Sequence, residues 1–259
     1  MKLIMTKNSN ANKLKKQLKI LLLSCTFAVL SVMSAAVIAS GGGIELKHME
    51  VNMSDKGALQ RGAKLFTDYC LSCHSAKFVR FNRVAEDLDL TEKQVMENLN
   101  HLGVKFGSPM ETSMTKEYAK KSFGALPPDL SLVGRSRGVD WLYTYLTGFY
   151  ADPARPTGFN NVAFKDVGMP NVLWELEGTK EATKDEHGMV TGLHLKSEGK
   201  LTEAEFDKEV RALVSFLSYM GEPRQHERKV LGAWVLVFLV ILFFFAYNLK
   251  KEYWKDVPH

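Results

Sequence analysis

Cysteine is scarce in this chain of 259 residues: three occur, at positions 25, 70 and 73. So few thiols exclude a disulfide-stapled scaffold and a four-cysteine zinc site. Acid is missing altogether from the first 39 residues, which hold six lysines. Lys13, Lys15, Lys16 and Lys19 precede an apolar run from Ile20 to Ile38, and the small residues Ala39 and Ser40 follow it. A basic segment, an apolar segment and a small-residue site in that order make the layout of a secretory signal peptide over residues 1–39, with an uncleaved N-terminal anchor as the competing reading. Cys25 follows "LLS" as a lipoprotein acceptor would, but too few apolar residues separate it from Lys19. It goes with the leader.

An excess of positive charge is also missing once the leader is set aside. Its six lysines, taken from 34 basic residues, leave 28 against 29 acids, a formal charge of −1. Residues 40–227 alone carry 23 basic and 27 acidic residues, a net of −4. The basic character of the whole sequence therefore belongs to targeting and gives no reason to expect nucleic acid as a partner.

Charge is absent again from "VLGAWVLVFLVILFFFAYNL", Val230 to Leu249. Twenty helical residues span roughly 30 Å, the thickness of bilayer hydrocarbon. A transmembrane helix is expected over 228–249, with Lys250, Lys251, Tyr253, Trp254 and Lys255 as interface anchors in a short tail, 250–259. Basic residues flank both ends, so the leader sets the orientation: residues 40–227 lie in the periplasm and the C-terminus in the cytoplasm.

The exported part has no internal repeat and reads as mostly helical with large loops. "SDKGALQRGAKLFTDYC" offers Ser54 or Asp55 as N-cap and Leu59, Ala63 and Phe66 on one face. Thr91 with Gln94, and Thr202 with Glu205, form capping boxes ahead of helical runs. The second run is stopped by Gly221 and Pro223. "PPDLSLVGRSRG" begins with a turn, and "VDWLYTYLTGFY" is a short aromatic helix stopped at Gly148. Residues 151–171 hold three prolines and no sustained period, a long shaped loop. Glu175 to Lys200 is highly charged, and "MVTGLHL" within it suggests a small hairpin.

The two remaining cysteines stand in "CLSCH", Cys70 to His74, the C-x-x-C-H signal of covalent haem attachment. Two thiols on one turn can each form a thioether to the porphyrin, and the adjacent imidazole is held as the proximal iron ligand. A zinc site would need further cysteines. A redox disulfide would leave His74 idle, and no thioredoxin-like strand–helix–strand pattern surrounds the motif. Candidates for the other iron ligand are Met110, Met114, Met169, Met189, His101, His187 and His194. Met169 stands apart, because Gly168 and Pro170 shape its backbone. Met110 and Met114 read as lying in a polar, mobile stretch, and His187 and His194 as surface groups of the charged hairpin. His/Met ligation would raise the haem potential, as suits a late carrier in an electron-transfer chain.

"ALQRGAKLFTDYCLSCHS", "GALPPDLSLVGRSRG", "YTYLTGFY", "VGMPN" and "MGEPRQHERKVLGAWV" follow one another in an order that resembles the bacterial cytochrome c1 family, from about Met53 to the end of the apolar run. That family supplies the haem subunit of the ubiquinol–cytochrome c reductase, or cytochrome bc1, complex. The resemblance implies a mainly α fold: a cytochrome c-like haem domain with long loops and a small hairpin insertion, plus one C-terminal transmembrane helix. It implies Cys70 and Cys73 on the porphyrin, with His74 and Met169 as axial ligands of one haem c. Arg135 and Arg137 are candidates for a haem propionate, with Arg135 preferred. Pro127, Pro128 and Leu130 would pack on the haem edge. Where many relatives follow the methionine with Ala-Pro-Pro, this chain has Pro170-Asn171-Val172.

The expected function is one-electron transfer without a substrate site. Cytochrome b and the Rieske iron–sulfur protein would share the complex, and a soluble or anchored cytochrome c would be the acceptor. The mild acidity of residues 40–227 would suit a basic acceptor. Two other readings compete: a free membrane-anchored cytochrome serving another oxidase or reductase, and a haem enzyme with an open sixth position.

Overall fold

The computed structural model describes residues 45–256. The leader expected over 1–39 lies outside the described residues, as does the end of the tail. In chain order the elements begin with helix α1, Lys56–Leu65, whose N-cap is Asp55, its carboxylate accepting from the Ala58 amide at 2.9 Å. The chain runs on from α1 into a π-helical turn, Phe66–Cys70. Strand β1 (Ala76–Arg80), helix α2 (Phe81–Asp87) and helix α3 (Glu92–Asn98) follow. Thr91 and Gln94 close the expected capping box on α3, the Thr91 amide donating to Gln94 Oε1 at 2.8 Å.

Strand β2, Pro109–Met110, pairs antiparallel with β1. Met110 is wholly buried in the core, which corrects its placement in a polar, mobile stretch: the ladder to β1 draws it inward. Then come α4 (Lys116–Phe123), the four-residue α5 (Val133–Ser136) and α6 (Val139–Thr147), which Gly148 caps as expected. The stretch read as one long loop contains a short antiparallel pair, β3 (Phe149–Ala151) and β4 (Phe159–Asn161). A single turn, α7 (Trp174–Glu177), leads into the charged hairpin β5 (Gly178–Lys184) and β6 (Val190–Glu198). Thr202 and Glu205 cap α8, Glu203–Gly221.

Helix α8 is the platform of the haem-motif half. It buries Phe206, Val210, Leu213, Val214, Phe216, Leu217 and Met220. Each such side chain removed from water contributes about 1.5–3 kcal/mol before entropy is counted. Helix α1 crosses α8 at Gly62, where a Cβ would stand 2.1 Å from the Ala212 carbonyl oxygen. Helix α5 sits on the far end of α8 at Gly134, where a Cβ would stand 2.7 Å from Leu217 O and Ser218 Cα. The fold is thus mainly α, with the hairpin as an insertion.

Helix α9, Gln225–Tyr253, extends the expected span at both ends, and Glu227–Tyr253 is long and apolar enough to cross a membrane. Its apolar side chains from Val230 to Leu249 are exposed. Asn248, the polar residue of the run, donates from its amide to Phe244 O at 2.8 Å, so part of its polar group is satisfied within the helix. The helix is a transmembrane anchor, and among the described residues one helix qualifies as such. At its root Glu222 accepts from Arg228 at 2.5 Å and lies 3.6 Å from Arg135 of α5.

Replacing Gly62 with Ala should lower unfolding stability by about 3 kcal/mol or more, because the clash falls on backbone. Gly57→Ala, on the exposed side of α1 with 3.4 Å to its nearest neighbour, should leave stability unchanged or raise it slightly. Thermal melts of the two variants in detergent check the contrast; equal melting points would contradict the close crossing.

Candidate haem site

The π turn positions the motif. Leu71 N donates back to Phe66 O at 2.9 Å, and Cys73 N and His74 N both donate to Cys70 O, at 3.0 and 2.8 Å. The wider turn leaves Cys70 buried against the core and Cys73 and His74 half-buried. Such π turns recur at functional sites, and the residue pattern gave no sign of this one.

Cys70, Cys73 and His74 line an apolar cavity of about 400 Å³, within the range of small-molecule and cofactor sites. Leu213 and Leu217 of α8 form part of its wall. Both cysteines are free. Burial, and then the neighbouring Cys73, push the Cys70 thiol up to about 12. A redox disulfide works through a lowered thiol pKa, so this environment does not suit one.

His74 Nδ1 lies 2.8 Å from Pro128 O. A carbonyl only accepts, so Nδ1 carries the proton and the Nε2 lone pair is free to bind a metal. Burial lowers the His74 pKa, opposed by the Pro128 contact and by Asp129; the imidazole is therefore neutral at pH 7, the ligating form. Pro127, Pro128 and Leu130 line the same cavity. Leu130 N donates to Ser75 O at 2.7 Å, so the proline segment is laced to the motif.

Of the seven candidates for the second ligand, the cavity lining includes Met169. Met110 is in the core, His101 pairs with Asp68 at 2.7 Å, and Met189, His187 and His194 are exposed on the hairpin. The Tyr145 hydroxyl donates to Met169 Sδ at 3.3 Å. Burial pushes the Tyr145 phenol up to about 12, keeping it a donor. Its ring stacks on Trp141 at 4.9 Å and meets Phe149 edge-on at 5.2 Å. Tyr145 is a site residue that sequence reasoning missed: in "YTYL" nothing distinguishes it from Tyr143, which turns to Asp207 and Arg211 instead.

The two arginines part company. Arg137 lines the cavity, its guanidinium 4.9 Å over the Trp141 ring. Arg135 points to Glu222 at the root of α9. Arg137 caps α5 just past its last residue, more than half a helical turn on from Arg135, and Gly134 pins that helix so that position 135 faces α8. The preference for Arg135 at the cavity is not what the geometry offers; Arg137 is placed there.

An imidazole nitrogen and a thioether sulfur, two thiols beside the imidazole, and apolar walls form the donor set and surroundings that a covalently held haem needs. A profile of the cytochrome C1 family matches residues 47–257. The chain belongs to the cytochrome c1 family. It is 47% identical over 242 residues to the cytochrome c1 of Allochromatium vinosum, covering 91% of this chain and 98% of that protein. The ammonia monooxygenase gamma subunit of Nitrosomonas europaea is 42% identical over 233 residues, 89% of this chain and 97% of that one. The cytochrome c1 of Rhodospirillum rubrum is 26% identical over 262 residues, 89% and 95% respectively. Membership makes the chain a c1-type electron carrier with covalently bound haem c.

A cation beside the haem favours the reduced, less positive iron. Arg137→Gln should therefore lower the midpoint potential by up to about 59 mV, tenfold in a one-electron equilibrium, while Arg135→Gln leaves it unchanged. Redox titration of both variants decides; the reverse pattern would restore Arg135 to the cavity.

Proposed function

We propose that the chain is the haem subunit of a membrane ubiquinol–cytochrome c reductase, taking single electrons from a Rieske [2Fe–2S] protein and passing them to a periplasmic cytochrome c. The observation that carries this reading is the meeting of His74 and Met169, 95 residues apart in sequence, on one apolar cavity whose edge holds Cys70 and Cys73. Haem c, when bound, supplies a one-electron iron couple. Cys70 and Cys73 would hold it through thioethers, and His74 and Met169 would supply the iron with an imidazole nitrogen and a thioether sulfur. With both groups offered to the iron, the chain would leave no place for a substrate to coordinate.

The other residues shape how readily the electron arrives. Pro127, Pro128 and Leu130 would exclude water from the haem edge, and Arg137 would offer a propionate its fork-shaped donor. The thioether of Met169 raises the potential above that of a second imidazole. Helix α9 holds the domain at the membrane beside cytochrome b, with the haem domain in the periplasm and residues 250–259 in the cytoplasm.

The resemblance to a protein named as an ammonia monooxygenase subunit favours one competing reading, a c1-type subunit serving another membrane enzyme. Mild-detergent purification of the tagged chain separates the two. Co-purifying b-type haem and a Rieske electron-spin signal support the reductase; their absence, with a different enzyme retained, supports the other.

Met169→Leu should keep the haem attached but lower its midpoint by well over the ~59 mV that marks a tenfold change. An unchanged midpoint would move the ligand elsewhere. His74→Ala should abolish stable holoprotein, and ordinary covalent-haem spectra in that variant would refute the proximal assignment.

A further inference from the structure

The net charge of −4 over residues 40–227 is unevenly spread. Residues 175–207, the hairpin and the start of α8, hold nine acids against four bases. Residues 111–137 and 155–169, the two stretches that bound the mouth of the cavity, hold seven bases against four acids. The sign at the mouth is opposite to the sign of the domain.

Helix α4 carries much of that positive charge. Its N-cap Thr115 accepts from Tyr118 N at 3.2 Å, and Gly124, at φ 70°, stops it beside the cavity-lining Phe123. Lys116, Lys120 and Lys121 all stand exposed on it. Lys165 is exposed next to Phe164, another lining residue. Among the described residues none of these four lysines forms an ion pair or a side-chain hydrogen bond. Of the acids on this side, Asp166 pairs with Arg155 at 3.1 Å, and Asp129 accepts from Lys77 N and Ser131 N. Glu111 and Glu117 are left to oppose the four lysines. The helix dipole accounts for Lys120 and Lys121 in the last turn, but it disfavours Lys116 in the first turn and does not reach Lys165. Leu126 and Phe164, which line the cavity, are exposed at its mouth. An apolar centre with a charged rim is the layout of a protein interface, and unpaired surface charge steers a partner of the opposite sign.

We propose that α4 and the Phe164–Lys165 tip form the docking face for the electron acceptor, and that this acceptor is a soluble redox protein with carboxylates around its own centre. The inference deepens the reading of the chain as a carrier that hands electrons to a soluble protein, and it rests on that reading. It reverses the charge that the net acidity of the domain would ask of the partner.

The experiment uses the full chain, purified in detergent with its haem and then reduced. The acceptor is one basic cytochrome c in two forms, unmodified and with its lysines succinylated. Stopped-flow absorbance gives the second-order rate of haem oxidation over a range of salt. The succinylated form should react faster, and its rate should fall as salt rises. Lys120→Glu combined with Lys121→Glu should slow it about tenfold or more at low salt and leave the haem spectrum at that of the parent. Lys196→Glu combined with Lys208→Glu makes the same change in net charge on the hairpin and α8, and should alter the rate less than about twofold. A reaction that favours the unmodified form or ignores salt would overturn the acidic partner, and equal slowing by the two double variants would overturn the docking face. If neither form oxidises the reduced haem, the reading of the chain as a carrier to a soluble protein is what fails.

Discussion

The hydrogen bond between His74 Nδ1 and Pro128 O is the constraint around which the site is built. It fixes the tautomer of the imidazole, and so the nitrogen offered to the cavity. It also fastens two segments 54 residues apart. The seam continues in both directions: Leu130 N donates to Ser75 O, Lys77 N to Asp129 Oδ2 at 3.1 Å, and Phe78 N to Ser131 Oγ at 3.1 Å. The motif and the proline segment behave as one piece of wall. Everything that follows the prolines, including α5 and the entry of Arg137 to the cavity, is indexed to that wall.

A second index comes from α8. Gly62 and Gly134 bring the backbones of α1 and α5 directly onto it, near its middle and its end. Helix α1 delivers the cysteines, and α5 delivers Arg137. Distances between those groups are therefore set by backbone contact, which tolerates far less drift than side-chain packing. The same helix ends four residues before α9 begins. Glu222 joins the two, drawing Arg228 from the anchor and Arg135 from α5. Arg135 thus belongs to the joint between site and anchor, an occupation its neighbour Arg137 does not share.

Much of this was legible where the chemistry is local. Caps at Thr91 and Thr202, the stop at Gly148, the hairpin after Gly178 and the C-x-x-C-H turn all depend on residues within a few positions of one another. What escaped is set by contacts across the fold. The four residues of α5 have no periodicity to read and are helical because Gly134 seats them on α8. Pairing with β1 hides Met110, whose flanking residues are polar. The π turn at Phe66–Cys70 continues an ordinary amphipathic pattern, and only the donation from Leu71 to Phe66 reveals it. Arg135 and Arg137 are equivalent as letters; two positions along a helix point in different directions.

Three neighbouring side chains of the cavity are gathered on a short length of chain. Arg137 stands at the entry to α6, and Trp141 and Tyr145, four residues apart, follow along one face of that helix. The guanidinium rests on the indole, the indole on the phenol, and the phenol donates to the Met169 sulfur. A rigid helix rises about 1.5 Å per residue, so the cation and the sulfur donor are held at a set spacing by one element. That element is itself tied to the start of the described chain, where Met49 N donates to Asp140 Oδ1 at 2.7 Å and Lys47 N to Thr144 Oγ1 at 2.9 Å. A shift of α6 would disturb the charge at the cavity and the hydrogen bond at Met169 together. The guanidinium and the phenol are therefore mechanically coupled through the indole between them.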